Sequence, residues 1–485
     1  MPVLAIDAGT TGVTALVVTE DGRIASRGYS EFPQHFPEPG WVEHEPEEIW
    51  QATLRACRAA LAESPDSPTA IGITNQRETA VVWDRRTLAA PRRAIVWQDR
   101  RTTEICDRLR DAGHEARVSE LTGLRLDPYF TGTKLAWLAE HDPAWAGVTS
   151  GSTVVGTVDS YLVARLTGGR EHVTDPSNAS RTLLYDIHAG TWSDEMCALL
   201  GVPMGALPEV RRSSGDLGRT DPDAFLGLHL PVAGIAGDQQ AALFGQACFG
   251  EGESKCTYGT GSFILVNTGA TAVRSDAGLL TTVAWDIGGG LVYALEGAIF
   301  VTGAAVQWLR DGLGIISSAA ETEAVAGTVP DSGGVVFVPA LTGLGAPHWD
   351  PDARGTITGI TRGTTRAHLV RATLEAIAFE VRDVVDVMTR DAGIPIPELS
   401  VDGGASANNL LCQLQATELH IPVRRPQVAE TTALGAAFLA GLATGVWSSL
   451  DEVGATWRLD RRFEPGERDD TSYARWLDAV RRTLT

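Results

Sequence analysis

The residues best able to do chemistry lie near the middle of the chain, in Gly234-Ile235-Ala236-Gly237-Asp238-Gln239-Gln240. The apolar run from Pro231 to Ala236 predicts a buried strand, and Gln239 to Phe244 has the character of a helix start. Asp238 therefore falls where a strand passes into a helix, which is where ligands bind in open α/β sheets. A carboxylate there can take a proton from a hydroxyl while the two amides beside it hold other polar groups. It can equally act as a helix N-cap, worth about 1 kcal/mol. The residue types alone leave both roles open.

Asp7 ends a second apolar run, Val3-Leu4-Ala5-Ile6, and is followed by Ala8-Gly9-Thr10-Thr11-Gly12 and then Val13 to Val18. This predicts strand, turn, strand. Phosphate oxygens can approach the backbone of a Gly–Thr turn closely, although a plain hairpin has the same sequence signature. The pattern recurs at Lys255-Cys256-Thr257-Tyr258-Gly259-Thr260-Gly261-Ser262, before Phe263 to Val266. Two such hairpins could grip one polyphosphate from both sides, so the repeat says more than either copy. Arg77-Glu78, just past the predicted strand Ala70 to Thr74, is either a donor–acceptor fork for a diol or a surface ion pair. Trp97 follows Ile95-Val96, where the core is the commoner place for an indole than a pocket wall.

A mixed α/β framework has to position these groups. Pro46 to Ala62 reads as an amphipathic helix, and Tyr129 leads into another after the turn at Asp127-Pro128. Gly303 opens a short helix containing Gln307, with a small first turn that a ligand could approach. Val370, Leu374, Ile377, Val381, Val384, Val385 and Met388 mark a long amphipathic helix stopped by Gly393 and Pro395. After the strand Leu399 to Asp402, Gly403-Gly404 turns into a helix near Asn408. That junction suits a flat base or a phosphate, or is simply a tight turn. Thr432 to Thr444 predicts a small-residue helix packed under it, and the last roughly 40 residues a charged appendix. Domains are expected at 1–245 and 246–445, with the appendix at 446–485.

With 485 residues, 44% hydrophobic and 21% charged, the chain is long enough for two or three cored domains. A net charge of −21 argues against a nucleic-acid partner and requires local donors for any polyanionic substrate. The six dispersed cysteines form no metal or disulfide pattern, and no signal peptide or membrane-length run occurs. A cytoplasmic protein without membrane insertion is expected. No GxxxxGKS or GxxxxGKT loop, protein-kinase signature, dinucleotide GxGxxG or HExxH motif is present.

Longer patterns narrow the field. Tyr129 to Leu138, with Lys134 and Trp137, and Gly355-Thr356-Ile357-Thr358-Gly359 through His368 to Glu375 resemble the FGGY carbohydrate kinase family. Gly40-Trp41-Val42-Glu43-His44, Ile73 to Thr79, Asp127 to Phe130, the Asp238 stretch and Leu341 to Pro347 are most similar to its glycerol kinases. The resemblance runs from Val3 to about Leu450. It implies two actin-like, ribonuclease-H-like domains around a central cleft, and transfer of the ATP γ-phosphoryl group to glycerol, giving sn-glycerol 3-phosphate. It also implies Asp238 as general base, and Arg77, Glu78, Tyr129, Asp238 and Gln239 on the glycerol hydroxyls between Trp97 and Phe263. Thr10, Thr11, Gly12 and Thr260 are implied on the nucleotide phosphates, with Gly303, Gln307, Gly404 and Asn408 lining the nucleotide side. Asp7 and Asp238 are the implied Mg²⁺ site, and a homo-oligomer, dimer or tetramer, is expected. Thr14, on the phosphate side, stands where glycerol kinases usually carry Arg. The alternatives are an FGGY kinase for another polyol or ketose and a non-catalytic nucleotide-binding module.

Overall fold

Side chains of the first strand part to opposite faces of a sheet, as the two-residue period of a strand requires. In the computed structural model, which describes Met1–Thr485, Leu4, Ile6 and Ala8 join a core with Ile49, Ala56 and Cys57. Those partners belong to the helix Pro46–Glu63, which starts on a proline tolerated in a first turn. Val3 and Ala5 point the other way, into a core with Leu243, Leu434 and Phe438. Burial on both faces explains why this strand reads as a continuous apolar run.

The five-stranded sheet has the order Val232–Gly237, Ala70–Asn75, Val3–Ala8, Gly12–Val18, Ile24–Glu31. The last three form an antiparallel meander, and the other two run parallel to Val3–Ala8. The second sheet repeats that plan. Ser254–Tyr258, Ser262–Gly269 and Leu291–Ile299 form the meander, with Leu399–Asp402 and Val423–Pro426 parallel to its first strand. Leu280–Asp286 and Leu459–Phe463 extend its two edges, making seven strands. The recurring Gly–Thr hairpin is thus the visible end of a repeated fold unit.

The long helix is Arg366–Ala392, closed by Gly393 in the left-handed region, and it packs on the second sheet. The small-residue helix, Thr431–Thr444, meets the Gly403 turn only at its start, where Thr431 donates to Asp402 at 2.7 Å, and the rest of it lies against the first sheet and the helix Asp238–Gly245. Its contact there is backbone on backbone: a Cβ on Gly435 would lie 1.9 Å from the Ala241 carbonyl oxygen. The segment 446–485, expected as an appendix, packs on the second sheet and the long helix. Leu459–Phe463 pairs with Val423–Pro426, and Trp476 of the last helix is buried with its Nε1 donating to Asp383 of the long helix at 2.8 Å. Leu459–Phe463 is an exposed edge strand, so its burial pattern gave little sequence signal.

All six cysteines are free and buried. No helix is long and apolar enough to cross a membrane.

Candidate active site

The strand Val232–Gly237 passes directly into the helix Asp238–Gly245, with Gly237 as N-cap and Asp238 as first helical residue. Asp238 is therefore not the N-cap. Its Oδ1 accepts from the Gln239 N–H at 2.7 Å and faces the Arg77 Nε at 3.1 Å, while its other oxygen accepts from no protein donor. The side chain keeps 30% of its exposure. Burial of the carboxyl raises its proton affinity, and the charges of Arg77 and Lys255 only partly oppose that. The result is a carboxylate of increased basicity with one oxygen open to a ligand.

Arg77 is the centre of a sealed ion network. Its guanidinium bonds both oxygens of Glu296, one of them at 3.1 Å, and lies 3.3 Å from the Tyr129 hydroxyl. Glu296 also accepts from Arg181 Nη2 at 2.8 Å, and Arg181 Nε donates to Glu78 at 2.7 Å. Burial alone would raise the Glu296 carboxyl, but Arg181 and Arg77 outweigh it and hold the group at about 2. Glu78 sits higher than an ordinary glutamate because burial outweighs its two arginine partners. Its backbone is left-handed, φ 61°, in a three-residue turn closed by the Thr79 N–H on the Arg77 carbonyl at 2.7 Å. A glutamate in that region is strained, a state that recurs where side chains are aimed at ligands. Arg181 holds Glu78 through one oxygen, leaving the other with no protein donor.

Aromatic walls flank this network. Trp97 meets Tyr129 edge to face at 5.6 Å between ring centres, and Arg77 lies 5.7 Å from the Phe263 ring centre. Trp97 is half-buried in a turn after a two-residue strand, Ala94–Ile95, and packs at the edge of a hydrophobic core. Its Nε1 donates to Thr10 Oγ1 at 3.0 Å, tying this wall to the first Gly–Thr turn. Gln76 braces the same turn through its Nε2 on the Gly9 carbonyl at 3.0 Å. Thr14 lies on the adjoining strand opposite Asp7 in register, with Thr11 and Gly12 between them at the turn. Asp7 is pushed up to about 7 by burial, with the neighbouring Asp238 charge adding. Two adjacent carboxyl groups are hard oxygen donors whose repulsion a divalent cation relieves, and they suit Mg²⁺ completed by water and phosphate oxygens.

The second Gly–Thr turn borders a cavity of about 420 Å³ lined by Tyr258, Thr260, Gly303, Gln307, Gly404 and Asn408, among others. All four residues expected on the nucleotide side converge there. Two have further tasks. The Gly303 position accommodates protein backbone, since a Cβ would lie 2.5 Å from the Gly259 carbonyl oxygen. Asn408 caps its own helix through the Leu411 N–H at 3.0 Å and donates to Thr322 at 3.1 Å, so it supplies wall and not a free amide. Leu374, Ile377, Val306 and Leu411 make the remaining walls apolar enough for a flat base.

Sequence reasoning missed Arg181, Lys255 and Glu296 as site residues. Arg181 lies in a stretch with no motif, and all three are joined to the site only by the tertiary fold.

Residues 2–245 match the N-terminal domain of the FGGY family of carbohydrate kinases, and residues 254–444 its C-terminal domain. The chain belongs to this family. It is 55% identical to glycerol kinase 2 of Thermotoga maritima over 99% of this chain and 98% of that protein. With glycerol kinase of Geobacillus kaustophilus it shares 52% identity over 99% of each. Among solved structures, Plasmodium falciparum glycerol kinase with ADP matches with a TM-score of 0.92 and 36% identity, covering 100% of this chain and 98% of that one. The two-domain, actin-like kinase fold is common to them.

Proposed function

We propose that this chain is an ATP-dependent glycerol kinase in which Asp238 is the general base, producing sn-glycerol 3-phosphate and ADP. The observation that carries this reading is the open oxygen of Asp238, set beside the Arg77–Glu78 fork. Its glycerol-kinase relatives at 51–55% identity support the same activity.

Phosphoryl transfer asks little covalent work of a protein and much positioning. Gln239 donates to a substrate hydroxyl and Glu78 accepts, while Arg77, its N–H groups held by Glu296, Tyr129, Gln240 and Asp238, places positive charge behind them. Trp97, Tyr129 and Phe263 press on the carbon chain. The Asp238 carboxylate takes the proton of the terminal hydroxyl as that oxygen attacks phosphorus. Thr10, Thr11, Gly12 and Thr260 face the phosphates, and the apolar cavity takes the base. Asp7, with Asp238 reaching it through water, would hold Mg²⁺, whose charge would offset that of the phosphates. Enclosure between the domains keeps water from acting as acceptor.

ADP release with glycerol, erythritol, xylulose, ribulose and gluconate tests the reading. Glycerol should give the highest kcat/KM. Preference for a ketose, or ADP release indifferent to every acceptor, would sink it.

A further inference from the structure

Lys255 is a fully buried lysine on Ser254–Tyr258, the first strand of the second sheet. An ammonium has three N–H donors and no acceptor. All three are matched here: Nζ donates to Gln239 Oε1 at 2.5 Å, to Thr257 Oγ1 at 2.9 Å and to the Phe263 carbonyl at 3.3 Å. Thr257 and Phe263 are cross-strand partners in the hairpin, so the anchor is rigid. Gln239 lies in the other structural half, one residue after Asp238.

We propose that Lys255 is a positioning residue that fixes which way round the Gln239 amide meets the substrate. A primary amide is nearly symmetric in shape, and only its hydrogen-bond partners decide where its oxygen lies. Facing a group that can only donate, Gln239 must turn its oxygen inward. Its NH₂ then faces away from Lys255, where it has no partner within the chain and is not sealed from water. Gln239 becomes an obligate donor beside the Asp238 acceptor. A hydroxyl that accepts from the one while donating to the other fits the pair, and an ammonium or other pure donor does not. The same lysine holds the backbone of Phe263, so one side chain sets both a polar contact and an apolar wall. This rests on the reading of Gln239 as a substrate-facing residue.

The test is hydroxyl-specific. Propane-1,2-diol and propane-1,3-diol each lack one of the non-reacting hydroxyls of glycerol. For the wild-type chain, Gln239→Ala, Lys255→Met and the double variant, kcat/KM is measured on all three acceptors. Any change in the reactivity of Asp238 falls on every acceptor and cancels in the ratios. Lys255→Met is expected to reduce the preference for glycerol over one diol by about tenfold, the worth of one good hydrogen bond. Gln239→Ala should reduce the preference over that same diol, and the double variant should lose nothing more. Equal losses on all acceptors in Lys255→Met, with a selective loss in Gln239→Ala, would overturn the role of Lys255. Unchanged ratios in Gln239→Ala would instead remove Gln239 from the substrate and the proposal with it. Gln239→Glu gives a check that does not depend on Lys255→Met folding. Its carboxylate pairs with the ammonium but offers no N–H, so the unfolding temperature should hold or rise while the same preference falls. A lowered unfolding temperature in that variant would contradict a donor facing this position.

Discussion

Glu296, on a strand of the second sheet, holds Arg77, at the end of a strand of the first, through bonds to both of its terminal nitrogens. Both side chains are sealed from water, and Arg181 shares the same carboxylate. The guanidinium expected on the substrate is thereby aimed by a residue from the opposite half of the molecule. Removing one partner of such a pair leaves buried charge uncompensated, which typically costs about 3–5 kcal/mol. Glu296→Gln should therefore lower the unfolding temperature and raise the KM for glycerol more than the KM for ATP. Steady-state kinetics with each substrate varied in turn, beside thermal unfolding, checks both. A glycerol KM equal to wild type would show that Arg77 needs no such support.

Asp238→Asn keeps size and shape while removing the basic oxygen. Since general-base catalysis is worth roughly 10²–10⁴ in rate, kcat should fall by that factor. Nucleotide affinity should remain within about threefold, because the base cavity does not include Asp238. Coupled ADP release and ADP titration measure the two quantities. Near-normal turnover would take the base role away from this residue.

The sequence made legible what depends on near neighbours. The strand before Asp238, both Gly–Thr hairpins and the long helix up to Gly393 are each specified within about 30 residues by apolar period and glycine placement. Position in space was harder. Glu296 and Arg77 are 219 residues apart and nothing in either local sequence names the other. The helix Thr431–Thr444 is small and apolar on every side, so no polar stripe reveals which sheet it covers. Leu459–Phe463 exposes four of its five residues, and a short charged edge strand looks like a tail until its partner is known. Asp238 lay between these cases: its strand-to-helix junction was readable, but that Gly237 and not Asp238 takes the cap needed the exact helix start.

Two histidines, His44 buried and His172 half-buried, predict acid sensitivity. His44 and His172 are each held down near 4, against an ordinary 6.5, chiefly because burial penalises their charged form. The unfolded chain then binds more protons than the folded one between those values, so stability is present above pH 6.5 and is lost as pH falls towards 4. The fully buried His44 accounts for on the order of 3 kcal/mol across that window, and the half-buried His172 for less. His44 has an unpartnered Nε2, so His44→Gln should flatten the dependence without a large loss at pH 7. Denaturant midpoints at pH 7, 5.5 and 4.5 for both chains would show it. Parallel curves would mean that His44 does not titrate on unfolding.

The helix that begins at Asp238 is held at its depth by glycine. It crosses Thr431–Thr444 with Gly435 against the Ala241 carbonyl oxygen, and Gly245 against that of Thr431, each leaving 1.9 Å for a Cβ. The obstacle in both cases is backbone, which cannot swing aside as a side chain can. A methyl group at Gly435 must separate the two helices, and overpacking of this kind costs about 1–3 kcal/mol. Because Asp238 is the first residue of one of them, the displacement reaches the carboxylate expected to take the proton. Gly435→Ala should thus lower both the unfolding temperature and kcat. Gly445→Ala supplies the comparison at the end of the same helix. That residue has φ 76° and open space around its Cβ position, so the change costs backbone strain of about 1 kcal/mol without moving the helix. It should lower the unfolding temperature while leaving kcat alone. If both variants lose kcat in proportion to stability, the helix crossing has no particular hold on Asp238. If only Gly435→Ala does, the small residues of this crossing belong to the catalytic geometry as well as to the fold.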